Sequence, residues 1–351
     1  MSALRPLRWS FRGHALLEGH RLLIQPRSAR PKTVDMLTGC EVQAHNDSLG
    51  CELPNVDLTR TFSTEDIKVL HQTSDDAGGI LVFTNQNPSM TIHDHVRFAQ
   101  QMADYSHTVI EPHSVAQGHS EADEVLEIVR EASARVTFGE NWHSDNSFHE
   151  ETCSFSILRG VEVPRLGVND TLFSSTADAY DALSPTMANL LLDLTAYHSA
   201  NRAYGVGHPG NSRAAMENTT TMQMRSAAPI LERDVLQPLV IVHPTSGRRA
   251  LFASPTFTTR IEGMQEKESN AILQFVYEWI ARPEFCTRVS WQPNQVVMWD
   301  NRITSHKGLA DDLSERRVVQ RVSIRGGAPI NHRGQSFSKT HKMEAASAGL
   351  F

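Results

Sequence analysis

Short apolar runs separated by turn residues dominate the chain, and only four stretches carry the period of an amphipathic helix. Between Gly39 and Leu58, glycine, asparagine, aspartate and proline punctuate brief hydrophobic segments, the signature of strands joined by tight turns. Ser63-Thr64-Glu65-Asp66 then opens a helical pattern through Ile67, Val69 and Leu70, with Ser63 as N-cap and Asp66 at the capping-box position. Gly78-Gly79 ends that helix, Ile80–Phe83 reads as a buried strand, and a second helix is predicted near Ile92–Ala103. Past residue 126 a third helix follows Ser184-Pro185, with Met187, Leu190, Leu191 and Leu194 on one face, and a fourth runs near Glu266–Ile280. Residues 199–228 are rich in Gly, Asn, Ser, Arg and Thr and lack periodicity, as a functional loop or a disordered stretch does. The sum is a mainly β protein with flanking helices, which pattern alone assigns to a barrel or a sandwich.

Composition narrows the class. The 351 residues suit one large domain, expected over 38–330, between a basic N-terminal extension (1–37) and a polar C-terminal tail (331–351). A net charge of −7 offers no field for nucleic acid or an anionic membrane, and no apolar run reaches the roughly 20 residues of a membrane helix. The four cysteines (Cys40, Cys51, Cys153 and Cys286) form no CxxC pair, so a disulfide or zinc framework is not expected and a reducing compartment is. A cytoplasmic protein fits, with organellar targeting by the Arg-rich first 37 residues as the alternative. The expected partner is a small-molecule substrate, and homo-oligomerisation stays open.

His143-Ser144-Asp145 sets an imidazole and a carboxylate two residues apart, which on an extended chain points both to one face. Two histidines and a carboxylate on one side of a metal leave positions open, an arrangement suited to non-haem Fe(II). The spacing is not selective, because His45/Asp47, His119/Glu121 and His149/Glu151 share it among 17 histidines. The downstream sequence makes the choice. Val296–Trp299 reads as a buried strand and is followed by His306, then by the strand Arg316–Ile324. Even spacing puts Arg317, Val319, Arg321 and Ser323 on one face of that strand. Two inward guanidiniums are costly unless each meets an anion, so a metal site that also binds an organic acid is implied. An edge strand with Arg316 and Gln320 inward is the competing arrangement.

Asn141–Phe148, Gly167–Phe173, Thr258–Ile261, Trp299–Arg302 with His306, and Arg316–Arg321 occur in an order that resembles the taurine dioxygenase and 2,4-dichlorophenoxyacetate dioxygenase family. The resemblance covers roughly 38–330 and implies a double-stranded β-helix (jelly-roll) core. It also implies an Fe(II)-dependent oxygenase that uses 2-oxoglutarate and O₂ as cosubstrates and releases succinate and CO₂. By the same resemblance His143, Asp145 and His306 hold iron, and Thr171 and Arg317 hold the distal carboxylate of 2-oxoglutarate. Arg321 then faces an anionic group of the substrate, Phe257 lines its pocket and Trp299 lies near the iron. Glu111 and His113 fall where further substrate contacts arise. Gly139 replaces an asparagine of taurine dioxygenase, and Ile110-Glu111-Pro112-His113 departs from that enzyme's substrate loop, which argues against taurine itself. Two other readings of the residues are a non-catalytic jelly roll that binds metal and an organic acid, and a zinc-dependent hydrolase on the same barrel.

Overall fold

The computed structural model describes residues 43–44, 49–54, 56–132, 134, 138–205, 223, 225, 229–337 and 340–342. The N-terminal extension lies outside them, as does most of the 199–228 stretch. In the first third of the chain come β1 (Gln43–Ala44), β2 (Cys51–Glu52), α1 (Thr64–Asp76), β3 (Ile80–Phe83), α2 (Ile92–Tyr105), β4 (Ile110–Glu111) and β5 (Val125–Arg130). The middle holds β6 (Cys153–Glu162), β7 (Thr171–Ser175), α3 (Thr176–Asp181), α4 (Pro185–Leu192), β8 (Thr195–Ser199), α5 (Asn201–Tyr204), β9 (Arg233–Pro238), β10 (Val240–Val242), β11 (Arg249–Leu251) and β12 (Thr258–Ile261). The last third holds α6 (Glu266–Ile280), β13 (Cys286–Val289), β14 (Val296–Asp300), β15 (Thr304–Gly308), β16 (Arg317–Arg325) and β17 (Thr340–Lys342). The molecule is mainly β with a few helices, and no helix among the described residues is long and apolar enough to cross a membrane.

Local chemistry explains the helix starts. Ser63 accepts from the backbone of Asp66 while the Asp66 carboxylate accepts from Ser63 N–H, and Thr91 with Asp94 repeats this box on α2. Gly78 and Gly79 turn the chain out of α1 at φ +72° and +94°. At Gly79 a Cβ would also come within 3.1 Å of Ile303 and 3.2 Å of Asp300, so the tight approach of β14 needs a glycine there. One expectation is corrected. The helix after Ser184 stops at Leu192, where Asp193 caps it; Leu194 lies past its end and Leu190 is 48% exposed. Leu191 alone on α4 is fully buried, so the apolar stripe is narrower than the spacing implied.

One large sheet runs β1-β2-β3-β14-β6-β16, with β4 and β5 both pairing along the outer edge of β16. A three-stranded sheet, β13-β7-β15, faces it. The apolar runs Ile80–Phe83 and Val296–Trp299 are continuous because both faces of the large sheet are covered. Leu81, Phe83, Val296, Met298, Val322 and Ile324 pack outward with Ile67, Leu70, Phe98 and Met102 of α1 and α2. Ile80, Val82, Val297, Trp299, Leu158 and Val319 pack inward with Phe173 and Val289 of the smaller sheet. Each such side chain stabilises the fold by about 1.5–3 kcal/mol relative to exposure.

Asp300, at the end of β14, is fully buried and accepts from Arg302 Nε at 2.8 Å and from His243 Nε2 at 3.0 Å. Burial alone would raise its pKa, but Arg302 and His243 outweigh it and hold the carboxyl below the usual range. Its stabilising contribution is therefore complete above the unfolded carboxyl pKa and is lost only as the pH falls through the depressed folded value. Asp300→Asn leaves the buried Arg302 guanidinium without its anion and removes the carboxylate that His243 Nε2–H donates to, and a loss of about 3–5 kcal/mol is expected in denaturant unfolding at pH 7. An unchanged unfolding midpoint would show that the cluster is not a structural keystone.

Candidate active site

His143 and His306 form an isolated antiparallel bridge, each N–H donating to the other's carbonyl at 2.9 and 2.8 Å. This bridge brings two residues 163 positions apart in the sequence to a ring-centroid distance of 4.2 Å (306 − 143 = 163). Three residues on from His143, Asn146 takes φ +52° and turns the chain, leaving Asp145 beside both rings. Asp145 Oδ1 is 3.7 Å from His143 Nε2, and Oδ2 is 3.8 Å from His306 Nε2. One ligand atom from each residue lies within 4.8 Å of the others, and all three residues are buried.

The protonation states suit a cation. His143 Nδ1–H donates to the Asn141 carbonyl at 2.8 Å, which leaves the Nε2 lone pair free. His306 is oriented instead by the rings of Trp299 and Phe173, at 4.6 and 5.8 Å. Burial pushes both imidazole pKa values down, that of His306 well below the ordinary value, so both are neutral. For Asp145, burial acts upward but is outweighed chiefly by the Arg321 charge, with the Ser156 hydroxyl acting the same way, so it is ionised. Two neutral imidazoles and one carboxylate with converging lone pairs fit a first-row divalent metal bound from one side. A second group, Asp75, His243 and Asp300, also converges. There Arg302 and His243 already donate to Asp300, and Thr245 donates to Asp75, so it reads as an ion cluster.

On β16 the arginines do face inward. Val319 packs with Trp299 in the inner core, whereas Val322 and Ile324 pack against the helices, and Arg316 is ion-paired outside with Glu131 and Glu162. Arg317 is partly exposed as a residue, but its Nε is buried without a partner. Burial, and secondarily Arg130 opposite it on β5, push its pKa down to about 10 against the pull of Asp170. Thr171 Oγ accepts from the Trp291 indole N–H at 3.0 Å, so its own proton is free to donate. An unpaired guanidinium edge and a hydroxyl donor make an anion site.

Arg321 donates through Nη1 to Asp145 Oδ1, and its Nε is buried and unpartnered. His113 Nδ1 accepts from the backbone N–H of Val115 at 3.2 Å and of Ala116 at 2.9 Å. The ring proton must then sit on Nε2, which is buried and has no partner. Burial, with Arg321 adding to it, pushes the His113 pKa down to about 3, so it is a neutral donor. Phe257 stands edge-on to His143 at 6.0 Å and to Phe148 at 4.8 Å, and Tyr204 meets His113 at 5.8 Å. Glu111 is already held at one oxygen by Arg325 Nε at 2.8 Å, while its other oxygen is buried without a partner. Sequence reasoning did not single out Ser156, Trp291, Arg130 or Tyr204. Cross-strand register places Ser156 and Arg130, Trp291 reaches Thr171 from the connection between β13 and β14, and Tyr204 falls in the 199–228 stretch read as a functional loop or a disordered one.

Residues 40–323 match the family model for "Taurine catabolism dioxygenase TauD, TfdA family". The chain is 30% identical over 204 residues to an alkylsulfatase of Acinetobacter baylyi, covering 58% of this chain and 61% of the relative. It is 33% identical over 202 residues to an alpha-ketoglutarate-dependent sulfate ester dioxygenase of Pseudomonas putida, covering 58% and 65%. The matched stretches thus span less than two thirds of those curated relatives. A crystal structure of a taurine dioxygenase from Burkholderia xenovorans superposes with a TM-score of 0.66 at 26% identity, covering 87% of this chain and 96% of that one.

Proposed function

This chain belongs to the taurine catabolism dioxygenase TauD, TfdA family, and from that premise we propose that it is an Fe(II)- and 2-oxoglutarate-dependent dioxygenase acting on a small anionic organic molecule. The observation that carries the reading is one strand, β16, aiming two guanidiniums, Arg317 and Arg321, each with a buried, unpartnered Nε, into the space beside the His143–Asp145–His306 donor set. A metal ligand set alone would suit many reactions. The added anion sites call for two organic acids, one as cosubstrate and one as substrate.

In this reading His143, Asp145 and His306 hold Fe(II), which supplies the oxidative chemistry with O₂ while 2-oxoglutarate is converted to succinate and CO₂. Arg317 and the Thr171 hydroxyl bind the distal carboxylate of 2-oxoglutarate, the planar guanidinium matching it in two hydrogen bonds. His113 Nε2–H and Arg321 bind the substrate's anionic group, and Phe257, Phe148 and Tyr204 exclude water from its organic body. Relatives named for sulfate esters support a sulfate or sulfonate as that group. The β-rich frame around the site is read as a double-stranded β-helix, the jelly roll.

Arg321→Ala removes one charged hydrogen-bonding partner of the substrate, at about 1.5–3 kcal/mol. The KM for an anionic substrate is expected to rise by roughly 10- to 100-fold, while the KM for 2-oxoglutarate stays within about 3-fold. Steady-state kinetics on both substrates would read this. An unchanged substrate KM would assign the anion to other residues.

A further inference from the structure

We propose that Ser156, fixed by Asn301, is the positioning residue for the Asp145 carboxylate, an inference that rests on Asp145 being a metal ligand. Ser156 lies on β6 at the centre of the large sheet, paired with Trp299 on one side and Ser323 on the other. The row across the inner face at this level is Ile80, Trp299, Ser156, Ser323 and Glu111. Two adjacent serines in that row leave room for a side chain to descend onto the sheet, and the Asp145 carboxylate occupies it, with Ser156 Oγ at 2.7 Å from Oδ2.

The directions of the hydrogen bonds that link Asn301, Ser156 and Asp145 follow from their neighbours. Asn301 faces two groups that can only donate, the Asp145 backbone N–H at 2.9 Å and the Trp299 indole N–H at 3.0 Å. The atom turned to them must be Oδ1, which settles the amide orientation. Asn301 Nδ2 then donates to Ser156 Oγ at 2.9 Å and to Cys153 Sγ at 3.3 Å. With a lone pair of Oγ filled by Asn301, the single hydroxyl proton of Ser156 is directed at Asp145 Oδ2. Asn301 thus holds Asp145 twice, by its main chain directly and by its carboxylate through Ser156.

Burial strengthens this arrangement. Ser156 is 0%, Asn301 1%, Trp299 1% and Asp145 3% exposed, so no solvent competes for these bonds. The opposite oxygen, Oδ1, receives Arg321. Arg321 is a long side chain placed to serve the substrate as well, whereas Ser156 is short, internal and committed to the carboxylate. Hydrogen bonds to a ligating carboxylate fix its angle of approach, and losing one lowers metal affinity by about 10- to 100-fold.

The test titrates Mn(II) into the full chain by calorimetry and records the d–d absorption of the Co(II)-loaded protein, for the wild type, Ser156→Ala, Ser156→Thr and Asp145→Ala. Ser156→Ala is expected to weaken Mn(II) binding by about 10-fold or more and to change the Co(II) spectrum. Ser156→Thr keeps the hydroxyl and is expected to restore both to near the wild type, which a purely packing role for Ser156 would not produce. Wild-type affinity and spectrum in Ser156→Ala, with binding lost in Asp145→Ala, would overturn the positioning role alone. Wild-type binding in Asp145→Ala would overturn the ligand assignment on which it rests. Should Ser156→Ala fail to fold, Asn301→Ser carries the same prediction, since Ser156 then loses the donor that aims it.

Discussion

Replacing His306 with alanine is expected to weaken Mn(II) or Fe(II) binding by roughly 1000-fold or more, beyond the ~10–100-fold that loss of a ligand's hydrogen-bond partner brings. The fold should survive, because the bridge to His143 uses only the backbone N–H and carbonyl of residue 306. What is lost is one of three converging donors, leaving an imidazole and a carboxylate that cannot enclose one side of the ion. Calorimetric titration gives the affinity, and far-ultraviolet circular dichroism confirms that the sheet is intact. Metal affinity within tenfold of the wild type in a folded His306→Ala protein would remove this residue from the site.

Arg317→Leu separates cosubstrate binding from stability. Loss of a bidentate, charge-assisted contact is worth about 3 kcal/mol, so the KM for 2-oxoglutarate should rise by roughly 100-fold, with metal affinity unchanged. Arg317 has a buried, unpartnered Nε and a second guanidinium, Arg130, opposite it. Its charge is therefore a cost to the folded state that an apolar residue avoids, and the midpoint of thermal unfolding should stay level or rise. Differential scanning calorimetry and 2-oxoglutarate saturation curves test the two halves separately. A KM within about 3-fold of the wild type would place the distal carboxylate elsewhere.

The parts of the molecule that were legible in the sequence are those set by short-range chemistry. Capping boxes at Ser63/Asp66 and the glycine stop at Gly78-Gly79 located α1, and continuous apolar runs located β3 and β14. Period-2 spacing gave the inward face of β16, and the packing of Val319 on one side and Val322 on the other decides against the edge-strand alternative. The His-x-acid pattern was ambiguous until the chain's path was known. His119 Nδ1 accepts from the backbone of Glu121 in a local turn, and His149 Nε2 meets Ser114. His45 and Asp47 lie outside the described residues. Among the described residues only His143 is bridged to a second histidine. The Ser156–Asn301–Asp145 group was not legible, because it depends on which residue of β6 lies opposite Trp299, a register no local pattern states. Leu194 was misplaced because Asp193 ends α4 before it and the chain swings into β8, whereas Leu190 is still on the helix but on its outer face.

The measurement closest to the central claim is succinate formation from 2-oxoglutarate, followed together with substrate oxidation, over a panel of alkyl sulfates, sulfonates and aryloxy acids under air. The account predicts that one member of the panel drives succinate release matched by oxidised product, strictly dependent on Fe(II), O₂ and 2-oxoglutarate and absent in His306→Ala. Product formed without O₂ or 2-oxoglutarate, or with Zn(II) in place of Fe(II), would contradict it, as would 2-oxoglutarate left unconverted across the whole panel.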